Sequence, residues 1–152
     1  MKVWIDGDGA PRQVKDILFR AADKRNVPVV LVANRAVAVP RHFNIKTVQV
    51  QRGFDVADDW LVDNCEPGDL VITSDIPLAA QVVAKGATGL SFRGELFTKE
   101  NVTARLAERD FFTDARNNGL MTGGGPPPFD ARAATAFANA FDVWLAKARR
   151  PG

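Results

Sequence analysis

The sequence predicts an α/β fold: a three-layer α/β/α sandwich whose central, mostly parallel sheet has about five strands, with extra helices at the C-terminus. Short β-branched runs alternate with longer stretches of helical period. Several of these runs are apolar throughout, which is typical of strands buried on both faces of a parallel sheet. The length of 152 residues and the hydrophobic content of 46% fit one domain, residues 1–152, with a full core.

Five segments have the composition of strands. Each is short, mostly apolar or β-branched, and bounded by turn residues. The predicted strands are residues 3–5, 27–33, 47–50, 70–73 and 88–92. Because helical stretches separate most of them, right-handed crossovers and parallel pairing are expected.

Five other stretches are predicted to be helical. The first begins behind Pro11, a good first-turn residue, and the second begins near Asp55. The third covers residues 76–85 and ends at Gly86, a common C-terminal cap. Residues 98–116 and 130–149 are also helical, and we expect them to pack on the flank of the sheet. The Gly/Pro-rich segment between them, residues 117–129, is predicted to be a loop.

Composition excludes several functional classes. The formal net charge is only +2, which is too small for a protein that holds nucleic acid mainly by counterion release, so any binding charge must be local. A single cysteine, Cys65, excludes a disulfide framework, and a single histidine, His42, excludes a histidine-rich metal site. We find no signal-peptide pattern and no apolar run of the roughly 18–20 residues that span a bilayer, so we expect a cytoplasmic protein without a membrane anchor.

Polar residues follow the predicted strands, at the edge where open parallel sheets bind their ligands. These residues are Asp6 and Asp8 after the first strand, Asn34 after the second, Ser74 and Asp75 after the fourth, and Arg93 after the fifth. Structural explanations exist for some of them. Asp6 and Asp8 can form a polar turn with the intervening glycines, and Asp75 can cap the helix that follows it.

The predicted second helix adds an acidic face. Asp55, Asp58 and Asp59 share this face, opposite the apolar residues that face the core. Asp55 stands where an N-cap is expected, and acidic residues in a first turn favour the helix dipole, so part of this cluster has a structural explanation. Caps and turns do not explain why acidic groups coincide at several strand ends, and this coincidence favours a metal site.

Converging carboxylates repel one another and raise one another's pKa, a cost that a divalent cation compensates. Oxygen ligands without His or Cys suit Mg²⁺ or Mn²⁺ rather than Zn²⁺. Such ions activate water and stabilise the charge that develops in phosphoryl displacement. The pattern therefore predicts metal-assisted phosphoryl chemistry at the strand ends.

Four phrases of the sequence resemble a known bacterial family. They are WIDGDGAP at residues 4–11, GFDVADDW at 53–60, EPGDLVITSDIPLA at 66–79 and MTGG at 121–124. Together they resemble the YaiI/YqxD family of uncharacterised bacterial proteins over nearly the whole chain. That family is regarded as related to PIN-like domains, which are metal-dependent ribonucleases with an α/β/α sandwich and an acidic site. The resemblance implies this PIN-like fold and suggests this activity.

The resemblance also implies roles for individual residues. Asp6 corresponds to the acid after the first strand, Asp75 to the acid of a Thr-x-Asp element, and Asp59 or Asp55 to the acid on the intervening helix, while Asp8 is an addition. Members of the family typically have Asp-Ala-Asp-Ala-Cys-Pro at the first motif. This chain has glycine in place of both alanines and Ala10 in place of the cysteine, so a thiol-dependent mechanism is not expected.

We therefore predict a metal-dependent phosphodiesterase that acts on nucleic acid, with single-stranded RNA favoured over DNA. Asp6, Asp59 and Asp75 are predicted to hold Mg²⁺ or Mn²⁺, and Asp8 and Asp55 to complete the site or orient water. The predicted substrate contacts are Arg12, Asn34, Ser74 and Arg93.

Two alternatives remain at this stage. A haloacid-dehalogenase-like phosphatase would use Asp6 as nucleophile and Asp8 as general acid, but it also needs a lysine and a later acidic pair. Lys85 lies at a helix end, and no Asp-Asp pair follows a later strand. The other alternative is a non-catalytic nucleic-acid-binding module whose acids hold a structural cation.

Overall fold

The computed structural model describes residues 1–53, 55–117 and 128–150, and it describes the side chains of these residues except 112–117. Within them lies a six-stranded sheet in the order β3-β2-β1-β4-β5-β6. The strands are β1 (Val3–Asp6), β2 (Val29–Ala33), β3 (Ile45–Gln49), β4 (Leu70–Ile72), β5 (Thr88–Leu90) and β6 (Leu96–Phe97). Strands β1 to β5 pair in parallel, and β1 lies between β2 and β4.

The described residues also form five helices. They are α1 (Arg12–Lys24), α2 (Val56–Asn64), α3 (Ile76–Ala84), α4 (Val102–Asn117) and α5 (Ala131–Ala148). The predicted helices and strands are thus present, with bounds that shift by a few residues.

Alternate residues of the sheet face two hydrophobic cores. On β1, Val3 and Ile5 pack with α1 and α5, whereas Trp4 packs with α2 and α3. A smaller cluster joins α3 to Phe97 of β6 and to Val102 of α4. This arrangement is a three-layer α/β/α sandwich, as predicted, and it places the C-terminal helices on both sides of the sheet. Cys65 is 1% exposed in the second core, consistent with a small buried apolar residue.

The sixth strand was not predicted. Strand β6 has two residues and pairs antiparallel to β5 through a tight turn. Gly94 in that turn has a φ of +92°, a conformation that residues with a side chain rarely adopt. Two residues carry no measurable period, so only the pairing with β5 identifies this strand.

The predicted loop at residues 117–129 has only its ends within the described residues. Asn117 is the last residue of α4 rather than the first of the loop, and residues 118–127 lie outside the described part. In the part of the chain that the structure describes, no helix is long and apolar enough to cross a membrane.

Candidate functional site

Three aspartates from separate segments meet at the carboxyl edge of the sheet. Asp6 ends β1, and Asp75 follows the neighbouring strand β4 and precedes α3. Asp58 lies in the first turn of α2. The charge of Asp75 acts on both other carboxylates, and Asp6 acts on Asp58. We call Asp6, Asp8, Asp58 and Asp75 the acidic cluster.

Thr73 connects Asp6 to Asp75. Its hydroxyl donates a hydrogen bond to Asp6 Oδ2 (2.9 Å) and accepts one from the backbone N–H of Asp75 (3.0 Å). Thr73 is completely buried, so this relay is shielded from competing water. Asp75 Oδ1 in turn accepts from the backbone N–H of Leu78 and caps α3. The Thr-Ser-Asp segment therefore fixes two carboxylates by hydrogen bonds within the fold.

This bond confirms the predicted capping role of Asp75. Capping uses Oδ1, and it does not account for Oδ2. Asp55 differs. It occupies the N-cap position of α2 in a left-handed conformation (φ 62°), and its side chain makes no capping hydrogen bond. The N-cap position predicted for Asp55 is therefore confirmed, but the capping hydrogen bond is absent.

Asp58, rather than Asp59, is the residue of α2 that faces the sheet. Asp58 precedes Leu61 by three residues and Cys65 by seven, and these two are almost fully buried. It therefore begins the buried stripe of the helix, whereas Asp59 is turned away by about 100° and is exposed. The sequence places Asp58 at helical spacing from Leu61 and Cys65, but only the packing of these two residues in the core shows that this side of the helix reaches the acidic site. Asp59 stays a prediction that only mutagenesis can decide.

Burial and mutual repulsion perturb the cluster. The pKa of Asp6 is raised, first by burial and then by the charges of Asp75 and Asp8, while the bond from Thr73 partly opposes the rise. Burial and the charges of Asp75 and Asp6 raise the pKa of Asp58 to about 6. Both ionised forms are thus disfavoured in the absence of a compensating cation.

Asp8 is held in a different way. Both of its carboxylate oxygens accept from the backbone N–H of Asn34, at 3.2 and 3.0 Å. The Nε of Arg35 lies 3.9 Å from Asp8 Oδ1. The predicted contact residue Asn34 therefore contributes its backbone to a loop anchor, and Arg35, which was not predicted, places a positive charge beside the cluster.

The other predicted substrate contacts are spread around the same edge. Arg12 is exposed on α1 and its Nε lies 3.7 Å from Asp16. The hydroxyl of Ser74 accepts from the backbone N–H of Phe92, which ties the end of β4 to the end of β5. Arg93 is exposed in the β5–β6 turn, with its guanidinium carbon 5.7 Å from the ring centre of Phe129. Their contact with a substrate stays a prediction.

The donor chemistry of the cluster fits a hard divalent cation. Its side chains supply only carboxylate oxygens, and burial together with neighbouring negative charge raises the pKa of Asp6 and Asp58. The spacing is looser than in a formed metal site, because no three His, Cys, Asp or Glu side chains among the described residues are grouped closely enough to hold an ion. Binding would therefore require the carboxylates of Asp58 and Asp75 to move toward Asp6.

Fold and cluster together define a three-layer α/β protein with an acidic site at the carboxyl ends of its central strands. Comparison with known proteins places the chain more narrowly. Residues 4–147 match the family model described as "Uncharacterized BCR, YaiI/YqxD family", and the chain belongs to this family.

Curated relatives match along nearly their whole length. A UPF0178 protein of Shewanella sp. strain MR-7 is 50% identical, with 98% of this chain and 97% of the relative covered. A UPF0178 protein of Cellvibrio japonicus is 49% identical, with 99% of both chains covered. One from Geobacter sulfurreducens is 48% identical, with 95% of this chain and 96% of the relative covered. No solved structure gives a significant match.

Proposed function

We propose that this protein is a metal-dependent phosphodiesterase that cleaves nucleic acid, with single-stranded RNA as the preferred substrate. The observation that carries the proposal is the convergence of Asp6, Asp58 and Asp75 at one edge of the sheet, where burial and then the charge of Asp75 raise the pKa of both Asp6 and Asp58. Clusters of this kind are concentrated at functional sites, because the repulsion destabilises the fold unless it serves a ligand. The relation to PIN-like nucleases is part of this proposal.

In the proposed site, Asp6 is the central ligand for Mg²⁺ or Mn²⁺, and Asp58 and Asp75 complete it. Asp58 takes the place that the family resemblance assigns to Asp59 or Asp55. When bound, the ion supplies a polarised water and neutralises charge that develops on the phosphate. Thr73 orients the Asp6 carboxylate, and the cap to Leu78 orients that of Asp75.

The remaining members of the site have supporting roles. Asp8 holds the β1–α1 loop against the end of β2 through the N–H of Asn34. Arg35, beside Asp8, supplies a positive charge for the phosphate. Because the cluster repels an anionic substrate, a cation and such local positive charge are both needed for phosphate to approach.

A phosphatase of the haloacid-dehalogenase type is less consistent with the geometry. Its general acid would be Asp8, whose two oxygens are both engaged by Asn34. Its lysine would be Lys85, whose Nζ donates to the carbonyl oxygens of Val62 and Asp63 near the C-terminal end of α2. That end is opposite to the turn that carries Asp58.

The decisive experiment measures cleavage of labelled single-stranded RNA with manganese and with chelator. We expect manganese-dependent cleavage by the parent and its loss in Asp6→Asn. Asp63→Asn is the matched control, since it removes the same charge from the exposed C-terminal half of α2. Equal cleavage by parent and Asp6→Asn would reveal a contaminating nuclease and refute the proposal, as would its absence from the parent across RNA sequences.

A further inference from the structure

A cavity of about 410 Å³ opens beside the acidic cluster, at the ends of β4 and β5. Ser74, directly before Asp75, lines one side, and Pro11, at the end of the loop that carries Asp8, lines another. The cavity lies within the range of volumes that small-ligand sites occupy. One side of the cavity is therefore the residue directly before Asp75, and another is the residue three positions after Asp8.

Two phenylalanine rings and an arginine form the walls. Phe92 and Phe129 line the cavity together with Arg93. The Arg93 guanidinium lies over the Phe129 ring, with 5.7 Å between its central carbon and the ring centre. Both rings are partly exposed. Aromatic rings and arginine planes are the surfaces on which proteins stack unpaired nucleobases.

The fold holds this platform in place. Gly94, the residue after Arg93, approaches α5 so closely that a Cβ there would lie 2.6 Å from the carbonyl oxygen of Ala136. The backbone of Phe92 is tied to the side chain of Ser74 at 3.1 Å. The turn that carries Phe92 and Arg93 is thus anchored to both α5 and β4, so the platform is ordered before any ligand binds.

The charge of the cavity differs from that of its acidic neighbour. Two arginines, Arg93 and Arg105, and one glutamate, Glu95, line it. Arg105 is held by Glu95, with 2.8 Å between Nη2 and Oε1, and by Glu108. The lining therefore contains arginine side chains, whereas the acidic cluster contains only carboxylates.

We propose that this cavity binds one unpaired nucleobase of a single-stranded nucleic acid, stacked on Phe129 and Arg93, with an adjoining phosphate directed at the acidic cluster. The placement of the phosphate rests on the function proposed above. Binding of the base does not, because it depends on the rings and the arginine alone. Only a strand with unpaired bases can insert a base sideways, so the cavity selects single strands over duplex.

Fluorescence anisotropy with two probes of equal length tests this inference. One probe is labelled oligouridine, and the other is the same backbone without bases. Chelator prevents cleavage, and low salt strengthens binding. Both probes carry the same phosphates, so repulsion by the acidic cluster cancels in the comparison. Oligothymidine, measured alongside, distinguishes RNA from DNA as the source of the base.

Phe129→Leu removes the ring and keeps an apolar side chain. We expect this variant to bind oligouridine about tenfold more weakly or worse, with unchanged binding of the abasic probe. Phe43→Leu is the matched control, because Phe43 is 77% exposed and stacks on His42 just before β3, at the amino edge of the sheet. Arg93→Gln, an exposed change, serves as a second variant should Phe129→Leu not fold.

The inference would be overturned if the parent bound neither oligouridine nor oligothymidine. It would also be overturned if Phe129→Leu weakened binding of oligouridine and of the abasic probe equally. A third refuting outcome is weaker binding of oligouridine by Phe43→Leu with unchanged binding by Phe129→Leu and Arg93→Gln. The proposed function is judged separately by manganese-dependent cleavage. Base-dependent binding without cleavage would refute the nuclease and retain the base site. If the parent cleaves RNA and both Phe129→Leu and Arg93→Gln leave KM and kcat unchanged, the nuclease is retained and the base site is refuted.

Discussion

Replacement of Asp58 by asparagine is expected to stabilise the metal-free protein at neutral pH and to have little effect near pH 4. Folding partly buries the Asp58 carboxylate beside Asp75 and Asp6, and this burial first, then the two charges, raise its pKa from 3.8 to about 6. Because folding raises this pKa, the folded state binds the proton more tightly than the unfolded chain. The free energy of unfolding therefore falls as the pH rises from about 4 to about 6, and the penalty is complete above that range.

The size of the effect follows from the shift. About two pKa units correspond to about 3 kcal/mol at 1.36 kcal/mol per unit. Asp58 is only partly buried, so solvent screening reduces the expected gain to about 1 kcal/mol. Asparagine keeps the shape of the side chain and cannot ionise, so the variant should lack the fall in stability between pH 4 and pH 6.

Asp59→Asn is the matched control. Asp59 lies in the same turn of α2 but is exposed, so both substitutions remove a favourable interaction with the helix dipole, worth about 0.3–1 kcal/mol. The difference between the two variants therefore reports the cost of holding the Asp58 carboxylate, partly buried, beside the acidic cluster. At pH 7 we expect Asp58→Asn to be about 1 kcal/mol more stable than Asp59→Asn, and at pH 4 the two should be equal.

Urea unfolding of the parent and both variants, with chelator and at one ionic strength, measures these differences. If the difference between the variants is the same at pH 4 and pH 7, the raised pKa inferred for Asp58 is wrong. If Asp59→Asn is the more stabilising change at pH 7, the assignment of Asp58 to the cluster is wrong and the earlier choice of Asp59 is restored.

Three further expectations follow from the same geometry. Manganese should raise the melting temperature of the parent and raise that of Asp6→Asn much less, because a ligand of the folded state stabilises it by mass action; equal shifts in thermal denaturation would place the ion elsewhere. Asp75→Asn retains an oxygen that can cap α3 through Leu78, so with chelator it should be at least as stable as the parent and with manganese less stable; a loss of equal size in both conditions, measured by denaturant unfolding, would make Asp75 purely structural. Gly7→Ala should lower the free energy of unfolding by about 1–3 kcal/mol through overpacking, because a Cβ at Gly7 would lie 2.9 Å from the carbonyl oxygen of Val32. Gly9→Ala should leave the stability unchanged, because the nearest atom to a Cβ there is 3.8 Å away. Equal unfolding midpoints for the two variants would contradict this packing.

Much of the sandwich was predictable from local pattern alone. The buried strands are continuous apolar runs, and the apolar residues of the helices recur at a spacing that puts them on one face of the helix. The positions of Asp6 and Asp75 followed from the rule that parallel strands bring their carboxyl ends to one edge. Each of these inferences needs only the neighbours of a residue along the chain.

The sequence by itself determined which segments carry the acidic residues, and the tertiary structure decided which of these residues face one another. Asp58 and Asp59 are adjacent in sequence, and only the packing of Leu61 and Cys65 on the sheet selects Asp58. Strand β6 exists only through its pairing with β5, and Phe129 meets Arg93 only because α5 packs where Gly94 allows a close approach. The physical reason is common to all three: each depends on contacts between residues distant in sequence, which local periodicity does not encode.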